Sequence, residues 1–357
     1  MKTGRSIVEL AQELQRRAEA KADYVADTRS MQVEVMGTEE TPVVALHVEG
    51  TGFYAPTGVS HGQIAAHTDI PKKYYDRLLG SAPQLLATNV NHWFRDKPAR
   101  RMVRTLDGRA RAFLSDRYRR FDNEDVAESV LPVLLEDRSI QVVSTEVTDL
   151  RLYIKALFPK VENEIKVGDP VQAGIVISNS EVGLGSLSVQ PLVFRLVCTN
   201  GMISQDYGIN RYHVGRRIDG DGMEVSKLFR DETLAADDRA LALKLQDVVR
   251  GAMDPGRFGL LVERMRESTL GPAVGQPVAA VEVLAKKIGL RDGEKGSVLE
   301  NLIRGQDYSR WGVLNAVTAL ANTHDSCDRA TELESAGGLI LDLHPSEWSE
   351  IALAEAA

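Results

Sequence analysis

The fold class of this chain is decided by residues 139–197, SIQVVSTEVTDLRLYIKALFPKVENEIKVGDPVQAGIVISNSEVGLGSLSVQPLVFRLV. β-Branched and aromatic residues dominate four stretches of this segment, and Gly, Asn and Asp separate the stretches, which is typical of strands joined by turns. Because consecutive strands with short connections pair antiparallel, we predict an antiparallel sheet. Its predicted strands are Ile140–Val147, Leu150–Phe158, Val171–Ser178 and Leu187–Val197.

Helical and extended patterns alternate before residue 139, and helical periodicity dominates after about Met223. Asp122–Asp137 is predicted to be a helix because Asp122 can cap its first turn and apolar residues recur at three- and four-residue steps. Asp107-Gly108 is a hairpin-turn signal. The other predicted helices are Ser6–Ala20, Ser60–Leu79, Leu234–Met253, Gly256–Ser268, Val278–Ile288, Lys295–Leu302 and Trp311–His324, and the other predicted extended segments are Gln32–Met36, Val43–Val48, Asn91–Phe94, Arg101–Thr105 and Arg111–Leu114.

These patterns together predict an α+β protein with an antiparallel strand-rich central sheet, packed helices and a helical C-terminal region. A length of 357 residues favours two units. We place an α+β core, with a basic stretch at 95–120, over residues 1–222. A mainly helical region follows over residues 223–357, and Asp219–Gly222 is the predicted turn between the two.

Composition excludes several classes of protein. Hydrophobic residues make up 43% and charged residues 26%, which is ordinary for a folded globular chain. No apolar run reaches the roughly 18 residues of a membrane span, and Met1–Lys21 lacks the apolar core of a signal peptide. Two cysteines exclude a disulfide scaffold and a four-cysteine zinc site. We therefore expect a cytoplasmic protein with no membrane partner.

Charge is distributed unevenly along the chain. The total is −8, yet residues 95–120 contain ten Lys or Arg and three Asp, a net charge of +7. The rest of the chain then has a charge of −15. This asymmetry indicates a surface for a polyanion on an otherwise acidic body.

The basic stretch also contains aromatic residues, a combination that suits single-stranded nucleic acid, because guanidinium groups bind phosphates and aromatic faces stack on exposed bases. The alternative is that these arginines pair with acids elsewhere in the chain. A second basic cluster follows the last strong strand, and its alternative is a solvated loop. The predicted nucleic-acid-binding residues are Arg101, Arg104, Arg109, Arg111, Arg117, Tyr118, Arg119, Arg120, Arg211, Arg216 and Arg217.

Gln63–Leu78 resembles a helix-turn-helix. Asp69 falls at the turn, where a left-handed backbone is needed, and Asp tolerates that conformation better than most residues. Cations at Lys72, Lys73 and Arg77 would then lie on the second helix, which enters the major groove in such motifs. The alternative is an ordinary helical hairpin that packs on a sheet through Tyr74, Tyr75 and Leu78.

Signals for catalysis, metals and cofactors are weak. Cys198 with His213 suggests a nucleophile and base, but Cys198 follows an apolar strand and is predicted to be buried and structural. The segment His324–Asp328 lacks a matching second group of metal ligands, so we expect it to end one helix and cap the next through Asp325 or Ser326. No Walker-type loop is present, and no cofactor or metal is expected.

Several stretches together resemble the phage- and plasmid-related family known as domain of unknown function 932. The resemblance implies residence on a mobile genetic element, or in a bacterium that harbours one, and implies no activity. The stretches are IPKKYYDRLL (70–79), NVNHW (89–93), RAFLSDRYRRFDNED (111–125), LRLYIKALFP (150–159), SNSEVGLGSLSVQP (178–191), RLVCTNGM (195–202), NAVTALA (315–321) and DRATELESAGG (328–338).

We therefore predict a non-catalytic nucleic-acid-binding protein of a mobile element. Single-stranded DNA binding or annealing is favoured, with a homo-oligomer expected by analogy with phage annealing proteins. The alternatives are a helix-turn-helix duplex binder and an interaction module for a phage or host protein. A further alternative is an enzyme that uses Asp116, Asp122, Asn123 or His213.

Overall fold

A computed structural model describes residues 1–38, 40–204, 209–211 and 231–355. The predicted α+β class is confirmed, with 12 helices and two strand-rich sheets among these residues. The helices are α1 Ile7–Ala20, α2 Gly58–His67, α3 Lys72–Ser81, α4 Pro83–Asp96, α5 Asn123–Glu136, α6 Asp231–Gly251, α7 Pro255–Glu267, α8 Pro277–Ile288, α9 Asp292–Gly305, α10 Arg310–Leu320, α11 Cys327–Asp342 and α12 Pro345–Ala352. The strands are β1 Lys21–Asp27, β2 Met31–Gly37, β3 Pro42–Val48, β4 Gly52–Pro56, β5 Arg100–Leu106, β6 Arg109–Ser115, β7 Gln141–Val147, β8 Leu152–Glu164, β9 Pro170–Asn179, β10 Leu187–Arg195, β11 Asn200–Ile203 and β12 Ile209–Arg211.

The first sheet has the strand order β1-β5-β6-β4-β3-β2. Its neighbours are antiparallel, except that β4 and β6 run parallel. α2, α3 and α4 contribute to a core on one face, where Phe94 of α4 stacks on Phe113 of β6 with ring centroids 5.7 Å apart. The opposite face of β5 and β6 is covered by the loops before α5 and after β9.

The second sheet has the order β11-β10-β9-β8-β7, and β12 also pairs with β10. It contains the four strands that the alternation at residues 139–197 predicts. Its core includes α1, α5 and the C-terminal helices. Residues of this core therefore lie on both sides of the predicted boundary, while the turn Asp219–Gly222 is outside the described residues.

One predicted extended segment is helical in the structure. Asn91–Phe94 was expected to be extended but lies in α4, where Leu86, Val90 and Phe94 are buried at four-residue steps. Helices α11 and α12 were not predicted as such, although Ser326 caps α11 as expected.

In the part of the chain that the structure describes, none of the helices combines the length and the apolar character that crossing a membrane requires.

Candidate functional site

The fold divides the predicted basic stretch among the end of α4, the hairpin of β5 and β6, and the loop before α5. In the hairpin, Arg101 is opposite Ser115, and Leu106 is opposite Arg109. Arg101 and Arg109 therefore lie at opposite ends of the hairpin, about 17 Å apart at roughly 3.4 Å per residue. The stretch does not form one continuous row of cations along these strands.

Arg104 lies at the centre of a buried ion network. Its side chain has no solvent exposure, and its guanidinium contacts Asp23 of β1 at 2.9 Å and Asp122 at 2.7 Å. A third contact of 3.0 Å is donated to the carbonyl of Glu181. Lys21 contacts the other oxygen of Asp122 at 2.8 Å. Because charged partners compensate the loss of water, Arg104 is accommodated in the interior and does not face solvent.

The carboxyl of Asp122 stays ionised in this network. Burial by itself raises the pKa of Asp122, but the charge of Arg104 and the hydrogen bond from Lys21 outweigh burial and lower this pKa overall. Asp122 also caps α5, as the sequence predicts, and forms a capping box with Asp125. The network therefore joins the first sheet to the first turn of α5.

Arg111 is the extra residue of a β-bulge, since Arg104 pairs with Ala112 and Thr105 pairs with Ala110. A bulge of this kind redirects a side chain, and Arg111 forms a buried ion pair with Glu181. The carboxylate of Glu181 also accepts a hydrogen bond of 2.7 Å from the backbone N–H of Asn123. The Nε and Nη2 atoms of Arg111 have no hydrogen-bond partner among the described residues.

Tyr118 is buried beneath this network. Its hydroxyl donates a hydrogen bond of 2.9 Å to the carbonyl of Ser180, and its ring lies 5.9 Å from the guanidinium of Arg104. Nearby, the amide of Asn179 donates to the carbonyl of Phe121 at 3.0 Å. The loop before α5 is thus fastened to the loop after β9. The ring of Tyr118 is buried and is not accessible to a base from solvent, so stacking on a base requires another aromatic residue.

The remaining predicted residues of this region lie nearer the surface. Arg119 forms ion pairs with Asp237 and Asp238 of α6, the latter at 2.6 Å. Arg120 is 59% exposed and contacts Asp23 at 3.3 Å, and Arg117 is exposed. The backbone of Arg211 pairs with Leu187, whereas Arg216, Arg217 and His213 are outside the described residues.

Other cations of the first sheet and its helices are exposed and form no close ion pair with a described residue. An ion pair of 2.9 Å between Asp69 and Lys97 holds the turn between α2 and α3 against the end of α4. The start of α3, the end of α4 and the start of β5 therefore lie at one end of this unit. The exposed cations without an ion pair are Lys73, Arg77, Arg95, Arg100 and Arg109. We define the basic end as Lys73, Arg95, Lys97, Arg100 and Arg101.

Arg101 is the half-buried member of the basic end. Its Nη2 atom donates to Nδ1 of His67 at 2.6 Å, and its guanidinium lies 5.7 Å from the ring centroid of Phe113. Burial and the charge of Arg101 lower the pKa of His67 to about 4. His67 is therefore neutral near pH 7 and can accept this hydrogen bond.

The predicted helical hairpin is confirmed in α2 and α3. Asp69 has a φ of 54°, which is the left-handed conformation expected at the turn. Tyr75 and Leu78 are buried, while Lys73 and Arg77 are exposed one turn apart on α3. The role of this hairpin in duplex binding stays a prediction.

The prediction that Cys198 is buried was wrong. β10 ends at Arg195, so Cys198 lies in the following turn and its thiol is exposed. Its sulfur accepts a hydrogen bond of 3.3 Å from Arg195. The apolar pattern of the strand continues in the sequence beyond the point where the hydrogen-bonded ladder stops.

We expect Cys198 to react rapidly with a thiol reagent in the native protein, because its sulfur is exposed beside a cation. Cys327 is partly buried, and burial raises the pKa of its thiol, so this residue should react slowly. A chromogenic disulfide should show a fast phase of about one thiol per chain. Cys198→Ser should remove the fast phase and Cys327→Ser should retain it; labelling only after denaturation would contradict this expectation.

Among residues 1–38, 40–204, 209–211 and 231–355, no group of three or more His, Cys, Asp or Glu side chains is arranged to hold a metal ion. Two of the candidate catalytic residues, Asp122 and Asn123, are held in the buried network. The buried network therefore gives both residues a structural role.

The partners of the buried arginines were not predicted. Asp23 and Glu181 lie 81 and 77 positions from Arg104, and no local pattern relates residues at such a separation. The acidic charge of the rest of the chain was the one sequence signal for these partners. Another buried ion pair, Lys155 with Glu334, was likewise not predicted.

Comparison with known proteins gives one finding. Residues 112–244 match the family model described as domain of unknown function, DUF932. The match starts in β6 and ends in α6, and it includes Tyr118, Asp122 and Glu181 of the buried network. No curated protein and no solved structure matches the chain.

Proposed function

We propose that this chain, whose residues 112–244 match the DUF932 family model, binds nucleic acid through its basic end and catalyses no reaction. The observation that supports the proposal is the group of exposed cations without ion pairs around the start of α3 and the end of α4. We further propose a cytoplasmic protein of a phage or plasmid that acts as a homo-oligomer.

The uncompensated cations matter most for attraction to a polyanion. The charges of Arg104 and Arg111 are balanced by buried carboxylates, so these residues contribute little to the field outside the protein. Lys73 and Arg95 have no such partner, and Arg100 lies opposite Asp27 of β1 without a close ion pair. Phosphates that approach these side chains gain the electrostatic attraction and release counterions.

Exposed aromatic rings beside the basic end favour a single strand. Tyr74 is 46% exposed and follows Lys73 on α3. Lys97 lies 5.1 Å from the ring centroid of the half-buried Trp93, and His92 is exposed beside it. Rings next to cations can stack on unpaired bases while the cations bind the backbone.

The test is the salt dependence of binding to a single-stranded oligonucleotide, measured by fluorescence anisotropy. The variant Lys73→Ala/Arg95→Ala/Arg100→Ala removes three phosphate contacts. Since each contact contributes about 0.7 to the slope of log affinity against log salt, the slope should become shallower by about 2. Affinity at low salt should fall as well.

The matched control removes the same charge from other surfaces. Arg239→Ala/Lys244→Ala/Lys286→Ala changes three exposed cations that lie outside the basic end. The control should keep the slope of the unaltered protein. Equal effects of the two triple variants, or no binding of the unaltered protein at low salt, would exclude the basic end.

A second candidate function is binding to a duplex sequence through α3. The observation that favours it is the left-handed turn at Asp69 followed by a helix with Lys73 and Arg77 exposed. In that case, Lys73→Ala/Arg77→Ala should abolish enrichment of one sequence from a duplex library and leave single-strand binding weak in every variant.

A further inference from the structure

A shallow groove of about 640 Å³ lies between α4 and β2, which is an edge strand of the first sheet. Arg95 belongs both to this groove and to the basic end. A volume of this size falls within the roughly 300–1,000 Å³ of small-ligand sites. The lining side chains are all polar or charged: Gln32, Thr88, Asn91, His92, Arg95 and Asp96.

The floor of the groove is fixed by Asn91. Its Oδ1 atom accepts a hydrogen bond of 2.7 Å from the backbone N–H of Val33, and its Nδ2 atom donates one of 2.8 Å to the carbonyl of Val33. The side-chain amide of Asn91 is thus hydrogen-bonded to the backbone N–H and carbonyl of Val33, which a neighbouring strand would otherwise use. The groove is therefore preformed, and added-strand pairing at Val33 is blocked.

The lining residues of α4 share one stripe of the helix. Thr88, His92 and Arg95 are spaced at steps of three and four residues, which places them on the same face. His92 presents an exposed ring that meets Trp93 edge to face, with centroids 5.0 Å apart. Arg95 forms no close ion pair with a described residue. A ring for stacking and a cation for a phosphate are thereby placed one helical turn apart.

We propose that this groove receives one unpaired nucleobase of a strand held at the basic end, a proposal that rests on the proposed function. Arg95 contacts the adjoining phosphate, and His92 stacks on the base. Gln32 offers both a donor and an acceptor to the edge of the base, and the carboxylate of Asp96 accepts from an exocyclic amino group. Bases within a duplex have no free face for this groove, so the site selects single strands.

The test compares an ordinary single-stranded oligonucleotide with an abasic strand of equal length. The unaltered protein should bind the ordinary strand about tenfold more tightly, in line with the stacking of one base. Gln32→Ala/His92→Ala should bind both strands alike, with the salt slope unchanged because no cation is removed. Phe53→Ala is the matched control, since it removes an exposed ring that does not line the groove and should keep the preference.

The possible failures can be told apart. Equal binding of both strands by the unaltered protein would overturn the proposal that the groove binds a base, and it would leave salt-dependent binding at the basic end intact. A preference that is retained in Gln32→Ala/His92→Ala, or lost in Phe53→Ala, would also overturn the proposed base site. Binding of neither strand at low salt would reject the groove together with the proposed function.

Discussion

Replacement of Arg104 by methionine is expected to lower the free energy of unfolding by about 3–5 kcal/mol, the cost of breaking a buried ion pair from one side. Methionine keeps much of the volume but leaves Asp23 and Asp122 buried without their shared cation. Urea unfolding followed by circular dichroism measures the loss. Tyr118, which lies next to the guanidinium, should become more accessible at the same time.

The matched control is Arg109→Met, on the same hairpin but exposed and without a close ion pair. Its effect should remain within about 0.5 kcal/mol. The folded protein has a lowered pKa at Asp122, so the stabilisation from this carboxyl is present at neutral pH and is lost as the pH falls through the folded pKa. The deficit of Arg104→Met should therefore shrink in acid. Equal losses in the two variants would show that the buried ion network contributes no net stability.

Replacement of Glu334 by leucine is expected to have an effect of similar size, about 3–5 kcal/mol. Lys155 of β8 and Glu334 of α11 form an ion pair of 2.5 Å with side chains that are 4% and 0% exposed. Without Glu334, the ammonium of Lys155 is left buried and unpaired. The transition midpoint in urea should fall by the corresponding amount.

The double variant Lys155→Met/Glu334→Leu tests whether the destabilisation comes from the unpaired charge or from altered packing. Because an apolar pair of similar volume often replaces a buried ion pair without loss, the double variant should recover most of the stability of the unaltered protein. A double variant as unstable as Glu334→Leu would contradict the electrostatic explanation. The pair joins β8 to α11, so its loss should also loosen the second sheet against α11.

The local elements of the second sheet were predictable because their signals are short-range. Alternation and turn residues within residues 139–197 predicted β7 to β10, and Asp122 predicted the start of α5. The prediction for Asn91–Phe94 was wrong because the local sequence is typical of an extended segment, whereas burial of one face of a fourteen-residue helix decides its conformation. The prediction that Cys198 is buried was wrong because an apolar run does not reveal where strand pairing stops.

The sequence predicts the positive charge of the candidate site but not which of its side chains are accessible to solvent. The excess of arginine at residues 95–120 is a property of the sequence, and part of it remains exposed at Arg95 and Arg100. Arg104, Arg111 and Tyr118 have the same composition signal but lie inside the protein. Nothing within ten residues of these three distinguishes them from their exposed neighbours.

Residues within a few positions of one another predict β7 to β10, most of the helices, the turn at Asp69 and the cap at Asp122, since each of these features depends on local sequence. Which cations remain available to a ligand depends on how distant strands and loops pack together. Asp23 and Glu181 reach Arg104 and Arg111 only after β1, β6 and the loop after β9 have assembled, because the free energy of an ion pair depends on distance in space and on burial, and neither is encoded in local order along the chain.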